Sequence, residues 1–396
     1  MLQKNNRAAR IIAAMTFALC IFAVSAVLGA EPVSAVSDSA FQKSKVENLT
    51  VKMVDTTRLK ITYDSCVGAK GYQIMRAPKK SGKYKLIKTL GKSKTAFKDT
   101  GRKAQTTYYY KVRAFREAGG REIYSKYSSI KSGTTDFEGN GSEYDLSHVK
   151  RISDSPLRGL NIVFLGSSIT LGKGSDNVSF VDYMAKRHGL NAVKLAKNGT
   201  TMATVQPESY IERLEAYVNT GAAAPDYLIC QLSSNDARLQ VNIGSIDTVA
   251  DHVLADLNKE TVSGAIEYIS GYAQETWGCP VIFFVMPQYE SDKFHDAHYE
   301  KMITALYGVK DWSKWGGDRL SILDMWADKS LNSKLLKKWK LYMTDEIHPT
   351  KAGYLDIYTP AFDSFMNAAM ANVIADALAE EETGETLDES MEIQLP

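Results

Sequence analysis

A chain of 396 residues with 44% apolar and 24% charged side chains has globular composition and length for two or three domains, which excludes a wholly disordered or fibrous protein. Its formal charge of +2 hides an asymmetry: between Lys43 and Lys131, 23 Lys and Arg stand against 6 Asp and Glu, a net of +17, the region up to Asp38 adds about +1, and the remainder carries −16. A basic region steers binding towards polyanions, which outside a cell are wall polymers or acidic lipid surfaces more readily than nucleic acid; the competing reading is a solvated lysine-rich surface.

At the amino terminus, Lys4, Arg7 and Arg10 precede an almost uncharged apolar run from Ile11 to Gly29, followed by small residues. This is the pattern of a secretory signal peptide over residues 1–35, with cleavage after Ala30 or after Val33-Ser34-Ala35. The run is also long enough to span a bilayer, so a retained anchor is the alternative. Leu19 is too bulky for the position before a lipidated Cys20, and no lipidation is expected. Cys66, Cys230 and Cys279 then remain, an odd number without close spacing, which defines neither a disulfide framework nor a zinc site. Cys230 lies inside the run Tyr227 to Leu232 and Cys279 directly before another, so both are expected as buried thiols.

From Val46 to Thr134 short alternating segments, Leu59 to Tyr63, Gly71 to Met75, Tyr84 to Thr89 and Thr106 to Phe115, are separated by Gly, Lys and Ser turns, a spacing that predicts an all-β sandwich. The stretches GAKGYQIMRAPKKSGKYKLI, TAFKDTG and TTYYYKVRAF resemble a fibronectin type III domain of the bacterial kind, spanning residues 44–134. Tyr108 stands at the position of the tyrosine corner, and Tyr63 where an early-strand tryptophan is common. The resemblance implies a spacer or surface-binding module without catalysis, a candidate holder of an anionic cell-wall polymer. No nucleic-acid partner is expected.

Residues 135–155, rich in Gly, Ser and acidic groups, read as a linker into a second domain over 156–378. There, apolar runs at 161–165, 192–196, 227–232, 281–286 and 320–325 alternate with segments of helical period: Phe180, Tyr183 and Met184; Ile211, Leu214 and Val218; Val253, Leu257, Ala265, Ile266 and Ile269. Strand-helix repetition predicts an α/β domain with one five-stranded parallel sheet wrapped by helices through right-handed crossovers. The tail, 379–396, is acidic, poor in large apolar groups and expected to be disordered.

In an open parallel sheet, ligands bind at the carboxyl ends of the strands, so the polar groups following each run carry the chemistry. Gly166, Ser167, Ser168 and Thr170 follow the first; Asn198, Gly199 and Thr200 the second; Ser233, Ser234, Asn235 and Asp236 the third. Near the end of the fold stands Asp345-Glu346-Ile347-His348. A phosphate-binding loop is excluded by spacing, because five residues separate Gly166 from Gly172 and Gly174 follows Lys173. A serine nucleophile uses every part. His348 is the base, Asp345 three residues earlier fixes its tautomer, and the N–H of Ser168, the N–H of Gly199 and the amide of Asn235 form the oxyanion hole. Asp236 is read as a structural or substrate-loop residue.

The blocks FLGSSIT, AKNGTTM, SSNDA and DEIHPTKAGY resemble, in order, the four blocks of the SGNH hydrolases, the GDSL-type esterases, over residues 158–372. Two positions depart from that pattern: Ser167 stands where an aspartate is frequent, and Ser233 replaces a glycine. The first departure raises the question of which serine attacks, and the place before Ile169 favours Ser168. The resemblance implies a three-layer fold and a secreted or surface-associated bacterial enzyme. It also implies hydrolysis of small acyl esters on carbohydrate, acetyl above all, or of lipid esters, without a cofactor. An O-acyltransferase with the same triad and a non-catalytic wall-binding protein are the alternatives. No metal is expected; the nearest hint is His295 and His298 with Asp292 and Asp296, in a charged segment.

Overall fold

The computed structural model describes residues 36–288 and 296–372 and divides them into two compact units. The expected signal peptide and acidic tail lie outside the described residues. The first unit comprises 36–53, 58–100 and 107–134; the second takes 54–57, 101–106 and everything from Thr135 onwards.

The first unit is a β-sandwich. A three-stranded antiparallel sheet joins β1 (Thr50–Met53), β2 (Leu59–Thr62) and β5 (Ala96–Asp99). A five-stranded antiparallel sheet joins β3 (Gly71–Ala77), β4 (Lys85–Gly91), β6 (Thr107–Ala118), β7 (Arg121–Tyr124) and β8 (Lys131–Thr134) in the order β4-β3-β6-β7, with β8 also on β6. Alternation decides the core: Leu59 and Ile61 from one sheet meet Tyr72, Ile74, Tyr110, Val112 and Ala114 from the other. Tyr110 is fully buried and its hydroxyl donates to Asp99 at 2.7 Å, while Arg76 donates to the same carboxylate, so the buried charge is paired. Tyr108, two residues earlier on the same face, is half-buried beneath the Arg76 guanidinium. Tyr63 packs on Tyr72 with ring centroids 5.0 Å apart and donates to the Lys94 carbonyl. The short strands β1, β5, β7 and β8 escape the sequence reading, because four residues carry too little alternation to mark them.

The second unit is built on a parallel sheet ordered β10-β9-β11-β12-β13: β9 (Asn161–Gly166), β10 (Asn191–Ala196), β11 (Tyr227–Gln231), β12 (Val281–Val285) and β13 (Leu320–Asp324). Every residue of β11 and β12 is buried, as expected of strands covered on both faces. The chain leaves β9 towards β10 on one side and later returns to β11 on the other, so the carboxyl end of β9 is a topological switch point. The helices include α2 (Ser168–Leu171), α3 (Phe180–His188), α4 (Tyr210–Val218), α5 (Ser234–Arg238), α6 (Val262–Trp277), α7 (Asp296–Trp312) and α8 (Lys329–Lys337), after a short α1 (Asp38–Lys43) in the first unit. Phe180 anchors the core, stacked on Phe362 at 4.3 Å and edge-on to Phe284 at 5.2 Å. None of the described helices is long and apolar enough to cross a membrane.

Two stretches differ from the sequence reading. Val253 and Leu257 do not continue the periodicity of α6: Leu254–Asp256 is a single 3₁₀ turn, and α6 starts at Val262 after Thr261, whose hydroxyl accepts the Gly264 N–H. Residues 135–155 are not a free connector. They form three successive 3₁₀ turns, Glu138–Asn140, Ser142–Tyr144 and Leu146–His148, that belong to the second unit.

Candidate active site

The candidate nucleophile is fixed by the exit of β9. A side chain at Gly166 would collide with Thr170, so only glycine lets α2 turn back this closely. Ser168 is the first residue of α2 and 5% exposed, and its Oγ lies 2.9 Å from Nε2 of His348, 180 residues away in the chain. Its neighbour Ser167 points elsewhere: it is fully buried, and its hydroxyl and N–H both donate to Oε1 of Gln231, at 3.5 and 3.1 Å. The geometry thus separates the two serines, and only Ser168 reaches the imidazole.

His348 is held by a closed loop. Met343 and Pro349 form a β-bridge, and the N–H and hydroxyl of Thr344 donate to the His348 carbonyl at 2.8 and 3.0 Å. Asp345 accepts the N–H groups of Ile347 and His348 on Oδ1 and faces Nδ1 of the imidazole at 3.0 Å from Oδ1 and 2.8 Å from Oδ2. Burial pushes this carboxyl upward, but the imidazole and the two backbone N–H groups outweigh it and hold the pKa at about 2. An ionised carboxylate only accepts hydrogen bonds, so Nδ1 carries the proton. In the neutral imidazole Nε2 then presents its lone pair, to which the Ser168 hydroxyl can donate.

The expected oxyanion donors come from the three adjacent strand ends. The Ser168 N–H opens α2, and Gly199, in the left-handed region at φ +76°, follows β10 on one side of β9. Asn235 follows β11 on the other side, and its amide donates to the Thr200 carbonyl at 2.9 Å. An amide nitrogen carries two N–H bonds, so one remains for a ligand. Asp236 completes the tie: it is fully buried and accepts the N–H groups of Met202 and Ala203 at 2.7 and 3.0 Å. Burial pushes its pKa up to about 6, opposed by the Ser233 hydroxyl and these N–H groups. Ser233 needs no glycine conformation, since its φ of −75° is ordinary and its hydroxyl caps α5 by accepting the Asp236 N–H.

Several supports were not visible in the sequence. Oε1 of Gln231 accepts from the N–H groups of Ser167 and Thr170 and from the Thr170 hydroxyl, pinning the turn from below. Arg213, from α4, donates to the Gly166 carbonyl at 2.7 Å and to the Thr200 hydroxyl at 3.0 Å, joining the first two loops. Tyr354, in the π-helical turn Tyr354–Tyr358 after His348, donates to the Ile169 carbonyl at 2.7 Å. Gln231 left one local signal, an amide closing an otherwise apolar strand; Arg213 and Tyr354 left none.

A second set of the same residue types shows how little composition decides. Ser155 Oγ lies 2.7 Å from Nδ1 of His188, and Nε2 of His188 lies 2.7 Å from Asp363. Ser155 and His188 sit ahead of β9 and β10, at the amino rim, and Asp363 reaches them from the C-terminal helix. There Ser155 also accepts the Leu157 N–H, and Arg187 shares the Asp363 carboxylate. This set therefore reads as a satisfied buried brace. His295 and Asp292 lie outside the described residues, and His298 donates to the Val241 carbonyl. Among the described residues no group of His, Cys, Asp and Glu is arranged to hold a metal. Cys230 and Cys279 are buried free thiols, their pKa values raised by burial.

Solved structures similar to this chain are fibronectin type III domains matched over its N-terminal part. A Fn3-like protein from Clostridium thermocellum is 27% identical, with 22% of this chain and 91% of that chain covered and a TM-score of 0.19. A variant of the domain FN3tt is 24% identical over 24% of this chain and 96% of that chain, with a TM-score of 0.20. The chicken CNTN1 FN1-FN3 fragment is 20% identical over 24% of this chain at a TM-score of 0.21, and the match spans only 30% of that chain's length. No family model matches the chain, and no curated protein matches it.

Proposed function

We propose that the second unit is a serine ester hydrolase of the SGNH type that removes small acyl groups, acetyl above all, from carbohydrate esters. The observation that carries this reading is the hydrogen-bonded chain Ser168 Oγ, His348 Nε2, His348 Nδ1, Asp345, standing at the switch point of the parallel sheet. The order of the four sequence blocks along that rim supports it. The signal-like amino terminus and the basic first unit favour an exported enzyme working on wall or surface glycans.

In the mechanism, His348 Nε2 takes the Ser168 proton as Oγ attacks the acyl carbon. The negative oxygen is met by the N–H groups of Ser168 and Gly199 and the amide of Asn235. Collapse expels the sugar oxygen, which takes the proton back from Nε2. Water, deprotonated by the same nitrogen, then cleaves the acyl-enzyme to carboxylic acid and free serine. Asp345 stays ionised and steadies the imidazolium without itself taking the proton.

The test is acetate release from a panel of acetylated glycans and short and long nitrophenyl esters. The expected result is turnover of acetyl esters that falls as the acyl chain lengthens. Preference for long chains would make it a lipid esterase, net transfer to an added sugar an acyltransferase, and no turnover of any ester would overturn the enzymatic reading. In the same panel Ser167→Ala keeps most of the turnover and costs about 1 kcal/mol in a thermal melt, the usual worth of one hydrogen-bonding group. A loss as deep as that of a nucleophile would transfer the role to Ser167.

A further inference from the structure

We infer that Asn140, in the run of 3₁₀ turns that precedes β9, is a positioning residue that sets the distance between the two halves of the candidate triad. The inference rests on the proposed hydrolase reading. Asn140 is 6% exposed, and its amide nitrogen donates to the Gly174 carbonyl at 2.7 Å and to Asp136 at 3.1 Å. Its amide oxygen accepts the Lys351 N–H at 2.9 Å. Gly174 belongs to the loop leaving the nucleophile turn, and Lys351 opens the helical turn directly after His348-Pro349-Thr350. One planar side chain thus spans the two segments that carry Ser168 and His348.

The surroundings make this link rigid. Gly174, at φ +93°, packs against Thr344, the residue whose N–H and hydroxyl hold the His348 carbonyl. A side chain at Gly139 would run into the Leu341 carbonyl and Thr350, so the 3₁₀ turn is pressed onto the base-bearing loop. Lys351 adds an ion pair with Asp145 at 2.7 Å, and the Tyr183 hydroxyl donates to the neighbouring Tyr144 carbonyl at 2.6 Å, fastening the middle of the segment. A buried amide that bonds the backbones of both loops, and is steadied by Asp136 beside it, specifies geometry better than apolar packing does. Residues 135–155 therefore contribute to the chemistry of the unit to which they fold.

The test compares Asn140→Ala and Asn140→Asp with Ser155→Ala, which weakens the same unit at the opposite rim, all in the full chain. Asn140→Ala is expected to lower kcat for nitrophenyl acetate by about tenfold to a hundredfold with KM changed less than about threefold, the size of effect that loss of alignment produces. Asn140→Asp keeps the acceptor for Lys351 but turns a buried carboxylate onto the Gly174 carbonyl and Asp136, so its loss should be at least that of alanine. Ser155→Ala should lower the melting temperature and leave kcat unchanged. A second readout needs no turnover: the Nδ1 proton of His348, observed by NMR in the far-downfield region, should broaden or vanish in Asn140→Ala and persist in Ser155→Ala. If wild-type protein turns over no ester, the hydrolase reading fails and the NMR signal still decides the role of Asn140. Asn140→Ala with wild-type kcat and an unchanged downfield proton would overturn the inference.

Discussion

Ser168→Ala is expected to reduce kcat for a short acyl ester by at least about a thousandfold, in line with the loss of a nucleophile from a cooperating triad. The reason is geometric. Among the described residues, Ser168 Oγ is the only hydroxyl hydrogen-bonded to His348 Nε2, at 2.9 Å, and the imidazole is oriented for it by a carboxylate held at about pKa 2. Because Asp345 is ionised down to about pH 2, its own protonation should not limit kcat/KM near neutrality. Asp345→Asn should lower kcat, since a neutral amide no longer selects the Nδ1–H tautomer. Steady-state rates on nitrophenyl acetate, together with loss of labelling by a fluorophosphonate, measure the first effect. Ser168→Ala with undiminished turnover would remove the whole mechanism.

Asn235→Ala is expected to cost about a hundredfold to a thousandfold in kcat, or about 2.7 to 4 kcal/mol of transition-state stabilisation, the usual worth of one oxyanion donor. The change appears in kcat rather than KM, because the donor meets charge that develops only after attack. The side chain has a second task, since its amide also ties the loop after β11 to the Thr200 carbonyl. Asn235→Asp separates the two. A carboxylate can neither donate to the oxyanion nor to Thr200, and it adds a negative charge where one is forming, so its loss should exceed that of alanine. Asp236→Ala, by contrast, removes the acceptor for Met202 and Ala203 and should act on stability as well as rate. Comparable kcat for Asn235→Ala and wild type would remove Asn235 from the oxyanion hole.

Local pattern carried much of this architecture. The runs that became β9 to β13 are short, apolar and β-branched, and period alone marks them as covered strands; Asp345 and His348, three residues apart, meet through a loop encoded within a few positions. The parallel sheet and the sandwich are both legible in this way. The four-residue strands of the sandwich are not, because their pairing, and not their own composition, makes them strands. Residues 135–155 read as a linker because their Gly, Ser and acidic content is that of exposed chain; what folds them onto the second unit is Asn140 and Asp145 finding Lys351 some two hundred positions later.

Residue types and their spacing were enough to nominate Ser168, His348, Asp345, Gly199 and Asn235, since each sits at an end of a segment whose period is readable one segment at a time. The place before Ile169 favours Ser168 over Ser167, but spacing could not set the candidate triad apart from Ser155, His188 and Asp363, nor reveal Gln231, Arg213, Tyr354 and Asn140 around it. Those distinctions depend on which strand lies beside which and on which rim a side chain emerges. That information exists only once the sheet order β10-β9-β11 brings distant backbone groups within hydrogen-bonding distance.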